Sequence, residues 1–132
     1  MAAVLLDTTA LIDLPRGRRG GVARLEGLHS AGDRPHACAI NVEEIERGLR
    51  GHREAEAARL PFDGLEMAAL DRSEGRQAGM WRRSFASRGV TLAQADCRIA
   101  AAAPAIGGRL ATGNRADFSL SELDVEHWPV GE

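Results

Sequence analysis

The sequence contains neither lysine nor tyrosine. Without lysine the chain cannot form a Schiff base or build a phosphate-binding P-loop, whose chemistry requires that side chain. All seventeen basic residues are therefore arginine, and nineteen acidic residues bring the net charge to −2. No whole-protein field draws such a chain to nucleic acid or to an anionic membrane, so any polyanion must be held by a local cluster. Cysteine is scarce: Cys38 and Cys97 sit among small or apolar neighbours with no second ligand pair, which argues against structural zinc and for two reduced, buried thiols. The four histidines, His29, His36, His52 and His127, are scattered, and no motif sets one up as a general base. Aromatics total five, two Trp and three Phe, a poor supply for stacking nucleobases. No apolar run approaches the roughly 18 residues of a membrane span, and the run before Asp7 is too short for a signal peptide. A cytoplasmic protein is expected.

What is present is 44% hydrophobic residues in 132, enough for a single domain over 1–132 with its own core. Ala3 to Leu6 is a short continuous apolar run that suits a strand buried on both faces, and Thr8 or Thr9 can cap the helix that TALIDL begins. PRGRRGG at 15–21 reads as a flexible basic loop, followed by Val22, Leu25 and Leu28 at helical spacing. The turn signal GDRP precedes a second strand, His36 to Ile40, after which Asn41 reads as an N-cap with Glu44 three positions on, a capping-box arrangement. The helix so begun carries Ile45 and Leu49, and its charged face runs on through Arg47, Arg50 and Arg53. A strand near Leu65 to Met67, a helix over 71–87 with Ala78, Trp81 and Phe85 on its core face, a helix from ADCRIAAAA to Pro104, a strand at RLAT (109–112) and an edge strand at LDVEHW (123–128) complete the reading. Strands alternate with helices, which predicts an α/β fold, a three-layer α/β/α sandwich around a mainly parallel sheet.

Active sites of parallel sheets lie outside the carboxyl ends of the strands. Asp7 closes the first strand, Glu44 lies in the first turns after the second, and Asn114 and Asp117 follow RLAT. Asp96 stands at the start of a helix, where the macrodipole favours an ionised carboxylate. Singly, each acid has an ordinary explanation: Asp7 can cap a helix, Glu44 can complete a capping box, Asp96 can be a helix-start acid, and Asp13 can be solvated or stand behind a functional residue. Brought together, they would repel one another unless a hard cation neutralised them, and oxygen-only ligands suit Mg²⁺ or Mn²⁺.

Four segments in order, VLLDTTALIDL (4–14), INVEEIERG (40–48), LAQADCRIAAAA (92–103) and LATGNRADF (110–118), resemble the motifs of PIN-domain ribonucleases, and among these the VapC toxins of bacterial toxin–antitoxin pairs. The resemblance spans nearly the whole chain. It implies that Asp7, Glu44 and Asp96 bind metal, that Asn114 falls where many members carry a fourth acid, that Asp117 is the nearby acid of the same motif, and that Thr112, with Thr8 or Thr9, supports the site. Glu44 rather than Glu43 fits the register, because Ile45 and Gly48 follow it at the motif's spacing. Asn41 stands where relatives often carry Ser or Thr, and the amide at Asn114 leaves three charged ligands.

The resemblance further implies a Mg²⁺- or Mn²⁺-dependent endoribonuclease acting on tRNA or rRNA, a small VapB-type antitoxin whose C-terminal segment crosses the site, and a homodimer. RNA would be held by arginine clusters, of which Arg16, Arg18 and Arg19 form the first, with the Arg47/Arg50/Arg53 face and Arg82–Arg83 as others. Two alternatives remain open at this level: a PIN fold kept only for binding or co-repression, to which Asn114 points, and a metal-dependent DNase, because a phosphodiester site alone does not read the 2′-hydroxyl. A haloacid-dehalogenase-like phosphatase is disfavoured by Thr9 two positions after Asp7 and by the missing lysine, and a phospho-receiver domain by that same lack.

Overall fold

Val4, Leu5 and Leu6 are almost fully buried, as an apolar run with both faces covered must be. They form β1 (Ala3–Leu6), the central strand of a sheet seen in a computed structural model that describes residues 1–120 and 122–131. The other strands are β2 (Arg34–Cys38), β3 (Glu66–Ala68), β4 (Arg109–Thr112) and β5 (Val125–His127), in the order β3-β2-β1-β4-β5. Every pairing is parallel, and Leu6 stands opposite Ala111 where β1 meets β4.

Side-chain alternation divides the core between the two faces of this sheet. Leu5, Cys38 and Leu110 point to one face, where they pack with Trp81 of α5 (Arg72–Ala86) and Ile99 of α6 (Gln94–Ala105). Val4, Leu6, Ala37 and Ala111 point to the other, against Leu11 of α1 (Thr8–Leu11), Leu25 and Leu28 of α2 (Arg19–Ser30) and Ile45 of α3 (Ala39–Gly48). A further helix, α4 (His52–Asp63), follows α3 and buries Ala58. The result is the expected three-layer α/β/α sandwich, with a sheet that is wholly parallel.

Several local expectations need correction. α3 begins at Ala39, two residues before the Asn41 N-cap read from sequence, because β2 ends at Cys38, and Cys38 takes the N-cap position. Asn41 is the third residue of the helix, and its side chain accepts the Cys38 N–H at 2.9 Å. Likewise Asp7, not Thr8 or Thr9, occupies the N-cap of α1, and its carboxylate makes no capping bond. The charged face does not run continuously through Arg53: Leu49 leaves helical geometry, and Gly51, at φ 95°, turns the chain into α4, a conformation that L side chains rarely adopt. Pro104 lies inside α6, which continues to Ala105. Phe85 is only half-buried, with the Arg88 guanidinium 4.2 Å from its ring centroid. Both cysteines are free and buried, and burial pushes each thiol upward in pKa.

Candidate active site

The chain winds outward from β1 to β3 on one side and returns to β4 and β5 on the other, which leaves a switch point at the carboxyl ends of β1 and β4. Asp7 stands there, 4% exposed, with its N–H on the Ala111 carbonyl at 2.8 Å. Its Oδ2 accepts two hydroxyls, from Thr9 at 2.8 Å and from the fully buried Thr112 at 2.7 Å. These bonds fix the plane of the carboxylate. Thr9 in turn receives the Gly113 N–H at 2.8 Å, and Thr112 receives the Asn114 N–H at 3.0 Å, so the turn after β4 is tied to the turn after β1.

A second branch runs through α3. Thr8 donates its hydroxyl to Glu44 Oε1 at 2.6 Å and accepts the Asn41 amide at 3.0 Å. Asn41 is wholly buried and bonded at both ends of its side chain, which makes it the hub between β2, α1 and Glu44. Glu44 is therefore not a capping-box residue. It is half-buried beside Thr8, whereas Glu43 is exposed. Sequence reading missed the role of Asn41; its spacing of three from Glu44 puts both on one helix face once the helix start is known.

Asp96 lies in the first turn of α6, half-buried. Its pKa is raised to about 6 by burial first, then by the negative charges of Asp117, Asp7 and Glu44. Asp117, Asp7 and Glu44 thus all lie within electrostatic reach of Asp96 at this end of the sheet. Asn114 and Asp117 are exposed at the edge of the site, with the Asn114 amide donating to Asp117 Oδ2 at 2.7 Å.

Among the described residues no three His, Cys, Asp or Glu side chains close around a single point as a finished cage. The donor set nevertheless fits a hard divalent cation. It is all oxygen, it carries excess negative charge that raises Asp96, and Mg²⁺ is commonly bound through only one or two carboxylates while retaining water.

The three arginines at 16, 18 and 19 differ in their surroundings. Arg16 is exposed and within electrostatic reach of Glu54, Arg18 is half-buried with Nη1 on the Gly131 carbonyl at 2.7 Å, and Arg19 is exposed at the start of α2. Asp13, for which solvation was one expectation, is 3% exposed and accepts the Gly131 N–H.

The PIN domain family model matches residues 4–124. No match to a curated protein reaches significance. Among solved structures, VapBC2 from Rickettsia felis, bound to a DNA fragment from its promoter, superposes with a TM-score of 0.82 at 18% identity, covering 96% of this chain and 98% of the other. DNA-bound VapBC from Salmonella typhimurium gives 0.80 at 22% identity, with 97% and 99% covered. VapBC-1 from nontypeable Haemophilus influenzae gives 0.77 at 19%, with 96% and 98% covered. Those likenesses establish a shared fold over nearly the whole of each chain.

Proposed function

The chain belongs to the PIN-domain family, and from that premise we propose that it is a divalent-metal-dependent endoribonuclease, the toxin of a toxin–antitoxin pair. The observation that carries this reading is the gathering of acids at the carboxyl ends of β1 and β4, where hydroxyls of Thr9, Thr112 and Thr8 set Asp7 and Glu44, and where Asp7, Glu44 and Asp117 all lie within electrostatic reach of Asp96. In it Asp7, Glu44 and Asp96 hold Mg²⁺ or Mn²⁺, with Asp117 beside them and Asn114 as a neutral neighbour. A cation so held supplies Lewis-acid stabilisation of phosphoryl oxygens and lowers the pKa of water. The chain's own groups prepare for it. Thr9 and Thr112 both occupy Oδ2 of Asp7, leaving Oδ1 as the freer ligand atom, and Thr8 orients Glu44. In the metal-free protein Asp96 retains a proton up to about pH 6, so cation binding at lower pH must displace it.

The partner in this reading is a small antitoxin, supported by the VapBC complexes among the structural relatives. A groove of about 530 Å³ between α3, α4 and β3, lined by apolar residues such as Val42, Ile45, Phe62 and Leu65 and also by Glu46, Glu56, Arg59 and Asp63, suits an amphipathic antitoxin segment. An arginine from such a segment would pair with the acids and exclude the cation. A homodimer belongs to the same reading, with Val22 on α2 an exposed apolar position available for contact.

The test is cleavage of sequence-matched single-stranded RNA and DNA by partner-free protein, with Mg²⁺, with Mn²⁺ and with EDTA. RNA cut only with metal supports the reading. DNA cut equally well would make the chain a general metal-dependent nuclease, and no cleavage by folded protein would leave the binding-only reading.

A further inference from the structure

Asp13 is a buried carboxylate that neither metal binding nor substrate contact explains. Both of its oxygens lie near the Gly131 N–H, at 3.2 and 3.1 Å. The carbonyl of the same glycine accepts Arg18 Nη1 at 2.7 Å, and Arg18 N–H is itself bonded to the Asp13 carbonyl at 2.9 Å. Gly131 is thus held through both its N–H and its carbonyl by Asp13 and Arg18 of the segment between α1 and α2. Gly131 adopts φ 82°, a conformation that favours glycine, and an added Cβ would lie 3.4 Å from Arg18 Nη1. Gly21 gives Asp13 its room, since a Cβ there would fall 2.7 Å from Asp13 Cβ.

The clamp reaches the acids through Val130. A Cβ on Gly113 would sit 2.5 Å from Val130 Cγ1 and 3.3 Å from Thr9 Oγ1, so the valine side chain lies directly on the Gly113 backbone beside Thr9. Gly113 N–H is bonded to Thr9 Oγ1, and Thr9 to Asp7. Trp128, buried at the start of this segment, donates its N–H to the Thr112 carbonyl at 2.8 Å. Residues 128–131 therefore form a strap over the turn after β4, anchored at one end on Thr112 and at the other on Asp13 and Arg18.

We infer that Asp13 is a positioning residue for Asp7: by clamping Gly131 it presses Val130 onto Gly113 and holds the Gly113–Thr9–Asp7 chain of hydrogen bonds in register. The inference rests on the reading of Asp7 as a metal ligand. Residues that orient a metal ligand through hydrogen bonds commonly change metal affinity by roughly 10- to 100-fold when removed.

The test compares wild type, Asp13→Ala, Asp13→Asn and Arg18→Met in the full chain, at a temperature well below each melting point. Two quantities are read: Mn²⁺ affinity by calorimetry, and amide hydrogen exchange at Gly113 without metal. Asp13→Ala should weaken Mn²⁺ binding about tenfold and speed Gly113 exchange by a similar factor. Asp13→Asn, which keeps an acceptor for Gly131, should restore most of both, and Arg18→Met should shift both in the direction of Asp13→Ala. If Asp13→Ala fails to fold, Arg18→Met carries the test alone. Folded variants with native Gly113 exchange and native Mn²⁺ affinity would overturn the inference. Wild type that binds no Mn²⁺ would instead refute the metal reading, and strap-dependent exchange at Gly113 would still report the clamp.

Discussion

Thr112, at the end of β4, donates its hydroxyl to Asp7, just past the end of β1, across 2.7 Å of fully buried space. Two strands distant in sequence but paired in the sheet thereby fix one carboxylate. Thr112→Val keeps shape and removes the donor. It should weaken Mn²⁺ binding about 10-fold or more, while costing on the order of 1 kcal/mol of stability. Metal titration alongside thermal melts separates the two effects.

Asp96 makes the metal-free protein pH-sensitive. Its folded pKa, about 6, lies above the ordinary value of 3.8. Between those values the native state binds a proton that the unfolded chain does not, so the group's contribution to stability falls as pH rises through that window. Because the side chain is half exposed, the loss is on the order of 1 kcal/mol rather than the full amount the shift would imply. Asp96→Asn should therefore melt higher than wild type at pH 7 without metal, and at nearly the same temperature near pH 4. Saturating Mn²⁺ should reverse the ranking at pH 7.

Asn41 ties Cys38 and Thr8 together from full burial. Asn41→Ala leaves those partners unsatisfied and should cost about 1–3 kcal/mol in denaturant unfolding. It should also lower cleavage measured under native conditions, because Thr8 loses the donor that sets its hydroxyl toward Glu44.

Asn114 donates its amide N–H to Asp117 Oδ2 at 2.7 Å. Asn114→Asp exchanges that bond for two like charges. Metal-free protein should lose stability slightly, and Mg²⁺ affinity should rise several-fold as a fourth acid becomes available. Equal affinity in the two proteins would mean that this position lies outside the cation's reach.

Much of this architecture was legible because its signals are strong and local. The apolar run before Asp7, the RLAT strand and the Ala78/Trp81 face each have one interpretation, and β4 runs from Arg109 to Thr112 as read. The start of α3 was not legible, since Asn41 is an excellent cap by type; the β2 pairing that ends the strand at Cys38 is a tertiary fact. The burial of Asp13 was hidden for the same reason. Its partner is Gly131, at the far end of the chain, and nothing in the local stretch ALIDLP marks that contact. Asp7, Glu44 and Asp117 were singled out by their placement after strands and Asp96 by its place at a helix start, whereas the separate bonding of Thr8 to Glu44 and of Thr9 to Asp7 required coordinates.

The central claim is that Asp7, Glu44 and Asp96 form one cation-holding centre that cleaves RNA. Its most direct test is a calorimetric Mn²⁺ titration of wild type, Asp7→Asn, Glu44→Gln and Asp96→Asn, with RNA cleavage followed in the same samples. The account predicts saturable binding by wild type, weakened or lost in each variant, with cleavage falling in parallel and abolished by EDTA. Undiminished binding in all three folded variants, or cleavage that persists in EDTA, would contradict it.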